Sequence, residues 1–295
     1  MAAPSRTLFD ENLVKDLFSK VRGKSTLAKL SAQEGIPFNG TKHFTFSMDD
    51  EVDIVAENGK HTAGRVSFEP VIMVPLEFEY GTRLSKEFVY ASEEEQINYL
   101  QAFNDGFAKK LARGLDIAAM HGYNPRTGAT AAVIGENYFD AKVTDKVTYS
   151  AGTADDNIDA AIKLVSDHDG DTTGIAMSKT LASDMSKIKA NGVTVYPEFR
   201  FGGVPTNLNG IAVDANVTVS KGPTGSLDHA IVGDFQNAFK WGFGKTVETE
   251  LIQYGDPDNT GKDLKGYGQV YLRATAYIGW GILAPDYFAL VQATA

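Results

Sequence analysis

Residues 92–122, SEEEQINYLQAFNDGFAKKLARGLDIAAMHG, contain the longest uninterrupted helical pattern of the chain. The other predicted elements lie before and after this helix. Ser92 and Glu95 have the spacing of a capping box, in which each side chain accepts a hydrogen bond from a backbone N–H at the helix start. Gly122 supplies the end, because glycine readily adopts the left-handed conformation that closes many helices. The pattern predicts a helix over residues 92–121, about 40 Å long.

One apolar stripe and two glycines lie within this helix. The stripe has the spacing of a single buried helix face, and it consists of Ile97, Leu100, Phe103, Phe107, Leu111, Leu115 and Ala118. Gly106 and Gly114 each cost about 1 kcal/mol relative to alanine in a helix interior. We therefore expect both glycines to be close-packing positions along the helix.

Before the helix, residues 36–88 change to a period of two. Phe44, Phe46 and Met48 alternate with polar residues, which predicts a half-buried strand. After a polar, glycine-containing stretch, residues 66–80 are predicted to form one long returning strand, with Pro70 and Pro75 marking an edge or an irregular path. Isolated hairpins are marginal in water, so we expect this one to lie on a partner surface. The alternative is a hairpin docked on its own domain.

The two ends of the chain complete an α+β pattern. Residues 1–34 contain two short helical patterns, at 10–21 and 25–33, with no strand nearby. They indicate either an extended arm that packs on something else or an ordinary N-terminal helix on its own domain. After the long helix, residues 151–244 predict a compact lobe of alternating elements: helices at 155–166 and 178–190 and strands at 174–177, 211–213 and 230–232. Further strands are predicted at 247–254 and 269–278.

Composition excludes several classes of protein. The 295 residues are 43% hydrophobic and 11% aromatic, which is ample for a core, and the chain has no cysteine, so disulfides and thiolate chemistry are ruled out. A formal net charge of −10 argues against tight, sequence-independent binding of nucleic acid. With no signal-like segment and no apolar run long enough for a bilayer, we expect a soluble intracellular protein.

The sequence contains no complete motif for catalysis or cofactor binding. The aspartates of residues 167–171, DHDGD, and of the loop at 256–263 resemble calcium loops, but both lack the glutamate at the twelfth position. The five histidines are scattered and form no metal-ligand pair. We therefore predict a protein that is not an enzyme, with no catalytic residue, no metal and no cofactor.

The order of elements and several short motifs resemble the major capsid proteins of tailed bacteriophages with the HK97 fold. The matching segments are KSTL at residues 24–27, AENG at 56–59, LSKE at 84–87, NLNGIAV at 207–213, GDF at 233–235 and PDYFAL at 285–290. Within the long helix, Asp116, Ala118 and Gly122 match the ending of the family's spine helix.

The resemblance implies a division of the chain into named parts. Residues 1–35 would be the N-arm, 36–88 the extended hairpin called the E-loop, 89–150 a P-domain with the spine helix at 92–121, 151–244 the axial A-domain, and 245–295 the C-terminal strands of the P-domain. Inter-subunit contacts are then expected at the E-loop tip, at Glu57, Asn58, Lys60 and Arg65. Lys60 lacks a matching context for a covalent cross-link, so we predict none.

The implied function is assembly. The protein would form pentamers and hexamers of an icosahedral virion capsid in the host cytoplasm, around double-stranded DNA held by weak, non-specific proximity. Its other expected partners are a portal protein and, because the arm is short, a separate scaffolding protein or none; no membrane is expected. Two alternatives stay open: an encapsulin-like bacterial compartment shell, and a cytoplasmic α+β enzyme that uses scattered carboxylates.

Overall fold

The structure is a computed structural model. It describes residues 19–21, 23–48, 50, 52–221 and 228–293. Most of the predicted helix at residues 10–21 lies outside these described residues. The α-helices are α1 (Thr26–Leu30), α2 (Glu93–His121), α3 (Phe139–Lys142), α4 (Ala154–Asp167) and α5 (Lys179–Met185). Short 3-10 helices are Lys86–Tyr90, Ala132–Ile134, Ala151–Thr153, Pro197–Gly202 and Pro285–Tyr287.

Thirteen strands complete the described secondary structure. They are β1 (Thr41–Met48), β2 (Val66–Met73), β3 (Leu76–Ser85), β4 (Lys146–Thr148), β5 (Gly174–Met177), β6 (Lys189–Ala190), β7 (Val193–Thr194), β8 (Asn207–Leu208), β9 (Ile211–Ala215), β10 (Asp228–Gly233), β11 (Phe239–Ile252), β12 (Gln269–Ile282) and β13 (Phe288–Gln292).

Helix α2 confirms the predicted spine and both of its ends. The Ser92 hydroxyl accepts a hydrogen bond from the Glu95 backbone N–H at 3.4 Å. Gly122 has φ 70° and donates its N–H to the Ala118 carbonyl at 3.0 Å. The 29 residues between them span about 43 Å. Local sequence alone therefore determines this element.

Only part of the apolar stripe of α2 is covered by the chain itself. Leu100, Phe107, Leu111, Leu115 and Ala118 are buried, and Phe103 is half-buried. Near the start of the helix Ile97 is 39% exposed and Tyr99 is 40% exposed. The subunit itself thus buries one face of α2 from Leu100 onward, and the two exposed residues lie before that point.

A three-stranded antiparallel sheet, in the order β11–β12–β3, packs beside the buried face of α2. Its formation corrects the prediction of one long strand over residues 66–80. The strand is interrupted between Met73 and Leu76, so that β2 and β3 belong to different sheets. Strand β2 pairs with β1, whereas β3 pairs with β12 from Leu76↔Ile278 to Ser85↔Gln269. Pro75 has no backbone N–H to donate to a neighbouring strand, which explains why the strand pairing is interrupted here.

A six-stranded sheet, in the order β4–β13–β10–β5–β9–β8, lies between two hydrophobic clusters. Ile231 and Leu290 face the cluster that contains α2, whereas Val232 and Val291 face the cluster that contains α4 and α5. The C-terminal strand β13 therefore joins this sheet rather than the three-stranded one, and β11 runs across residue 244. The domain boundaries drawn from the resemblance stay predictions.

Four glycines on β11 and β12 let other segments cross these strands at close range. A Cβ at Gly242 would lie 1.8 Å from the Glu34 carbonyl oxygen, and one at Gly281 would lie 2.6 Å from Met73 Cγ. Gly244 and Gly279 similarly face Pro75. The Glu34 N–H donates to the Trp241 carbonyl at 2.8 Å. We call Gly242, Gly244, Gly279 and Gly281 the glycine track; it seats the arm and the base of the hairpin.

Candidate assembly surface

The β1–β2 hairpin extends beyond the core of the subunit. Its strands pair without interruption from Thr41↔Met73 to Met48↔Val66. Among the described side chains of the hairpin, Met73 at its base is buried, whereas Phe44 is 67% exposed and Ile72 is 51% exposed. In the connecting segment Ile54 is 96% exposed. Apolar side chains in water at both strands and at the tip indicate a surface that another chain can cover.

The four residues predicted for the E-loop tip all lie in the segment that connects β1 and β2, and all are exposed. Asn58 has φ 66°, in the left-handed region that asparagine tolerates, and it turns the chain just before Gly59. Arg65 donates its backbone N–H to Asp50 Oδ2 at 2.7 Å, which closes the base of the loop. Inter-subunit contacts by Glu57, Asn58, Lys60 and Arg65 stay a prediction.

The two spine glycines differ in their surroundings. A Cβ at Gly114 would lie 3.3 Å from the Phe78 ring and 3.4 Å from Pro125. A Cβ at Gly106 would meet no atom within 4 Å, and Gly106 is exposed. The expectation of close packing at Gly106 is therefore not met within the chain, because Gly106 lies on the exposed side of α2, whereas Asn104 and Phe107 on its other side are buried.

The N-terminal arm is tied to the spine by one buried carboxylate, Asp116. Its oxygens accept hydrogen bonds from the Ser25 hydroxyl at 2.5 Å, from the Thr26 backbone N–H at 3.0 Å and from the Thr218 hydroxyl at 3.1 Å. The Leu27 N–H contributes a longer contact of 3.3 Å. Burial raises the pKa of Asp116 to about 6, against the opposing effect of these donors.

A second tie joins the arm to β9. Asp214 accepts a hydrogen bond from the Thr26 hydroxyl at 2.7 Å and pairs with the Lys29 ammonium at 2.5 Å. KSTL at residues 24–27 and Asp116 both lie in segments that match family motifs, but the sequence does not show that they are in contact. Ninety residues separate Thr26 from Asp116, so no local spacing could reveal the contact.

The end of the spine carries a buried ionic cluster of His121, Asp140 and Asp228. His121 Nδ1 lies 2.8 Å from an Asp140 oxygen and 3.3 Å from an Asp228 oxygen, while Nε2–H donates to the Thr218 carbonyl at 3.0 Å. Burial lowers the pKa of His121, but the two carboxylates outweigh it and raise that pKa to about 10. The ring is therefore held as an imidazolium.

This cluster places two carboxylates beside one of the five scattered histidines. Among the described residues, His121, Asp140 and Asp228 form the one group of three or more possible metal-ligating residues whose ligand atoms all lie within 4.8 Å of one another. Metal ligation needs a neutral imidazole, whereas here both ring nitrogens have acceptors. The arrangement is that of an internal ion pair that connects α2, α3 and β10.

The loop after β11, considered above as a calcium loop, is instead organised by Arg83. Its guanidinium reaches Asp258 Oδ2 at 2.9 Å, Asp256 Oδ1 at 2.6 Å and the Thr260 hydroxyl at 2.7 Å. The hydrogen bond from Arg83 lowers the pKa of Asp258 to about 2. Both carboxylates of this loop are thus already paired with a fixed cation.

A hairpin whose apolar side chains the subunit's own core leaves uncovered is typical of a structural subunit. No helix among the described residues has an apolar stretch that could cross a bilayer. Comparison with known proteins agrees with this class. The sequence pattern of the phage capsid family matches residues 7–293, and the chain belongs to that family.

Solved structures support the same fold. A chain from Mycobacterium phage Ogopogo is 30% identical, superposes with a TM-score of 0.79 and shares 92% coverage of both chains. A chain from Gordonia phage Cozz is 20% identical with a TM-score of 0.74, over 92% of this chain and 87% of that one. The capsid of an empty GTA particle, computed with C5 symmetry, is 16% identical with a TM-score of 0.64, over 92% and 90%. No curated protein matches the chain.

These findings confirm the predicted HK97-like α+β fold and the resemblance to phage capsid proteins. The chain is a structural capsid protein of this family.

Proposed function

We propose that this chain is the major capsid protein of a tailed phage, which assembles through pentamers and hexamers into an icosahedral shell around packaged double-stranded DNA. The observation that carries the proposal is the β1–β2 hairpin, which exposes Phe44, Ile54 and Ile72 outside the core of the subunit. Burial of such side chains by a neighbouring copy lowers the free energy of the assembled state. The arm and the hairpin would overlap neighbours, and the A-domain, residues 151–244, would form the contacts around each capsomer axis.

The partners beyond other copies of the chain follow from its charge and its family. A net charge of −10 suits an inner wall that confines DNA without gripping it, since tight binding would need phosphate contacts from lysine and arginine. We further propose a portal protein at one vertex and a separate scaffolding protein, with assembly in the host cytoplasm.

Microscopy of the purified full chain, alone and with the scaffolding protein encoded beside it, tests the proposal. We expect rings of five and six subunits, and closed shells when both proteins are present. A chain that stays monomeric under all these conditions would contradict the proposal. Shells that enclose a protein cargo and are never filled with DNA during infection would instead support the compartment alternative.

A further inference from the structure

One exposed phenylalanine stands apart from the other surface residues of the subunit. Phe201 is 103% exposed, so its ring contacts nothing within the chain. Its backbone has φ 57° and ψ 27°, in the left-handed region. Left-handed backbone is rare for bulky residues, and it costs free energy unless a glycine takes the position. A glycine at position 201 would adopt this backbone conformation without strain. The chain instead has phenylalanine at 201 and glycine only at 202 and 203.

The segment around Phe201 is held firmly on both sides. Phe199 is 2% exposed and lies in the cluster beneath α4 and α5. Gly203 donates its N–H to the Arg200 carbonyl at 3.1 Å, and a Cβ on Gly203 would lie 2.5 Å from the Glu198 carbonyl. The fold therefore fixes the backbone turn and presents the ring outward. Strained residues that persist in a well-supported turn are often functional.

Two other apolar side chains close to Phe201 in sequence are also exposed. Val193, on the preceding hairpin, is 71% exposed, and Val195 is 42% exposed. Residues 193–201 of the predicted A-domain thus contain three exposed apolar side chains. Large aromatic residues near the centre of protein interfaces often dominate the binding energy.

We propose that Phe201 is the apolar anchor by which the A-domain of one subunit docks on a second copy of this chain. The inference rests on the proposed function. It names one residue that would contribute to the contacts between subunits within a pentamer or hexamer. A second copy is the favoured occupant because the chain belongs to a capsid family. A nucleic acid is disfavoured, since exposed Arg200 is accompanied by Glu198 and the chain has a net charge of −10.

The anchor supplies one part of an interface. A buried phenylalanine covers about 150–250 Å², whereas a stable interface buries about 1,200 Å² or more in total. The remaining area would come from other exposed residues of the lobe. A ring-forming contact is head-to-tail, so the receiving surface on the second copy need not contain Phe201.

Substitutions at position 201 separate strain from contact. Phe201→Asn keeps a residue that tolerates the left-handed backbone but removes the ring, Phe201→Ala removes the ring alone, and Phe201→Tyr retains an aromatic ring. Each full-length variant is assembled beside the natural chain, with the same scaffolding protein, while light scattering and microscopy record the subunit concentration at which rings and shells appear.

We expect Phe201→Ala and Phe201→Asn to raise that concentration by about 10-fold or more, as for an interface hot spot, and Phe201→Tyr to stay within about threefold. The Asn variant should unfold at or above the melting temperature of the natural chain, because it relieves the strained backbone. Assembly of Phe201→Ala and Phe201→Asn at the natural concentration would overturn the inference and leave the proposed function intact. Failure of the natural chain to assemble would overturn both.

Hydrogen exchange on the natural chain gives an independent measurement. Backbone amides of residues 199–203 should exchange more slowly in rings or shells than in free subunits, because docking excludes water from the segment. Unchanged exchange in fully assembled particles would overturn the inference. A slower exchange that appears with free subunits and double-stranded DNA would also overturn it, in favour of nucleic acid.

Discussion

At the scale of single residues, Asp116 shows how one buried side chain can determine the path of a chain terminus. It accepts hydrogen bonds from two segments that are distant in sequence: Ser25 and Thr26 at the start of α1, and Thr218. Buried polar groups must keep their partners, because an unsatisfied donor costs about 1–3 kcal/mol. The arm is therefore held by directed bonds as well as by the burial of Leu27 and Leu30.

Asp116→Ala should destabilise the subunit strongly. The substitution leaves the Ser25 and Thr218 hydroxyls and two backbone N–H groups without their acceptor, and we expect a loss of about 3 kcal/mol in the free energy of unfolding. Urea denaturation followed by circular dichroism measures the effect. Asp105→Ala on the same helix is the matched control: its ion pair with Lys20 is exposed, and its loss should cost less than about 1 kcal/mol.

His121 makes stability depend on pH in a defined direction. Its folded-state pKa is raised to about 10 from 6.5, so the cluster contributes its full stabilisation below pH 6.5 and loses it progressively as pH rises toward 10. His121→Gln lacks this contribution. The difference in unfolding free energy between the natural chain and His121→Gln should therefore shrink between pH 7 and pH 10. A difference that stays constant over this range would show that the ring is neutral in the fold, because a neutral imidazole binds no extra proton above pH 7.

At the scale of elements, helices with their own caps were predictable, and strand partnerships were not. Ser92 and Gly122 specify both ends of α2 within the helix sequence, so the predicted and observed bounds agree. By contrast, β3 pairs with β12 about 190 residues away, and the alternating pattern of residues 66–80 runs through Pro75 without showing that the sheet changes there. The Asp116 and His121 clusters escaped prediction for the same reason: their partners are distant in sequence.

Glycines in these elements have opposite roles that substitution can separate. Gly106→Ala should raise the unfolding free energy of the subunit by about 0.5–1 kcal/mol, since alanine is the better helix former and a Cβ there meets nothing within 4 Å. Gly242→Ala should lower it by about 2 kcal/mol or more, because the new Cβ would collide with the Glu34 carbonyl and displace the arm.

Thermal and urea unfolding of the two alanine variants provide the measurement. If Gly242→Ala were as stable as the natural chain, the arm would not cross β11 at the glycine track. Assembly of Gly106→Ala adds a second readout: a stabilised subunit that no longer assembles would indicate that a neighbouring copy approaches Gly106 closely.

At the scale of the whole molecule, the subunit divides into parts that its own core holds and parts that it does not. The six-stranded sheet, the three-stranded sheet and one face of α2 from Leu100 onward bury their apolar residues within the chain. The hairpin, the start of α2 before Leu100 and residues 193–201 leave apolar side chains exposed. A capsid subunit has reason to keep this division, because surfaces that complete a shell must stay available until copies meet.

Removal of the hairpin tip tests this division directly. Deletion of residues 57–64 removes Glu57, Asn58 and Lys60 but leaves β1, β2 and the glycine track in place, so the deleted subunit should keep its circular dichroism spectrum and melt within about 2 °C of the natural chain, as expected for an exposed segment outside the core. Rings and shells should be reduced or absent in the same preparation, because the tip would no longer reach a neighbour. Loss of the folded monomer would instead mean that the tip stabilises the subunit's own core, and normal shells would mean that the tip makes no essential contact between copies.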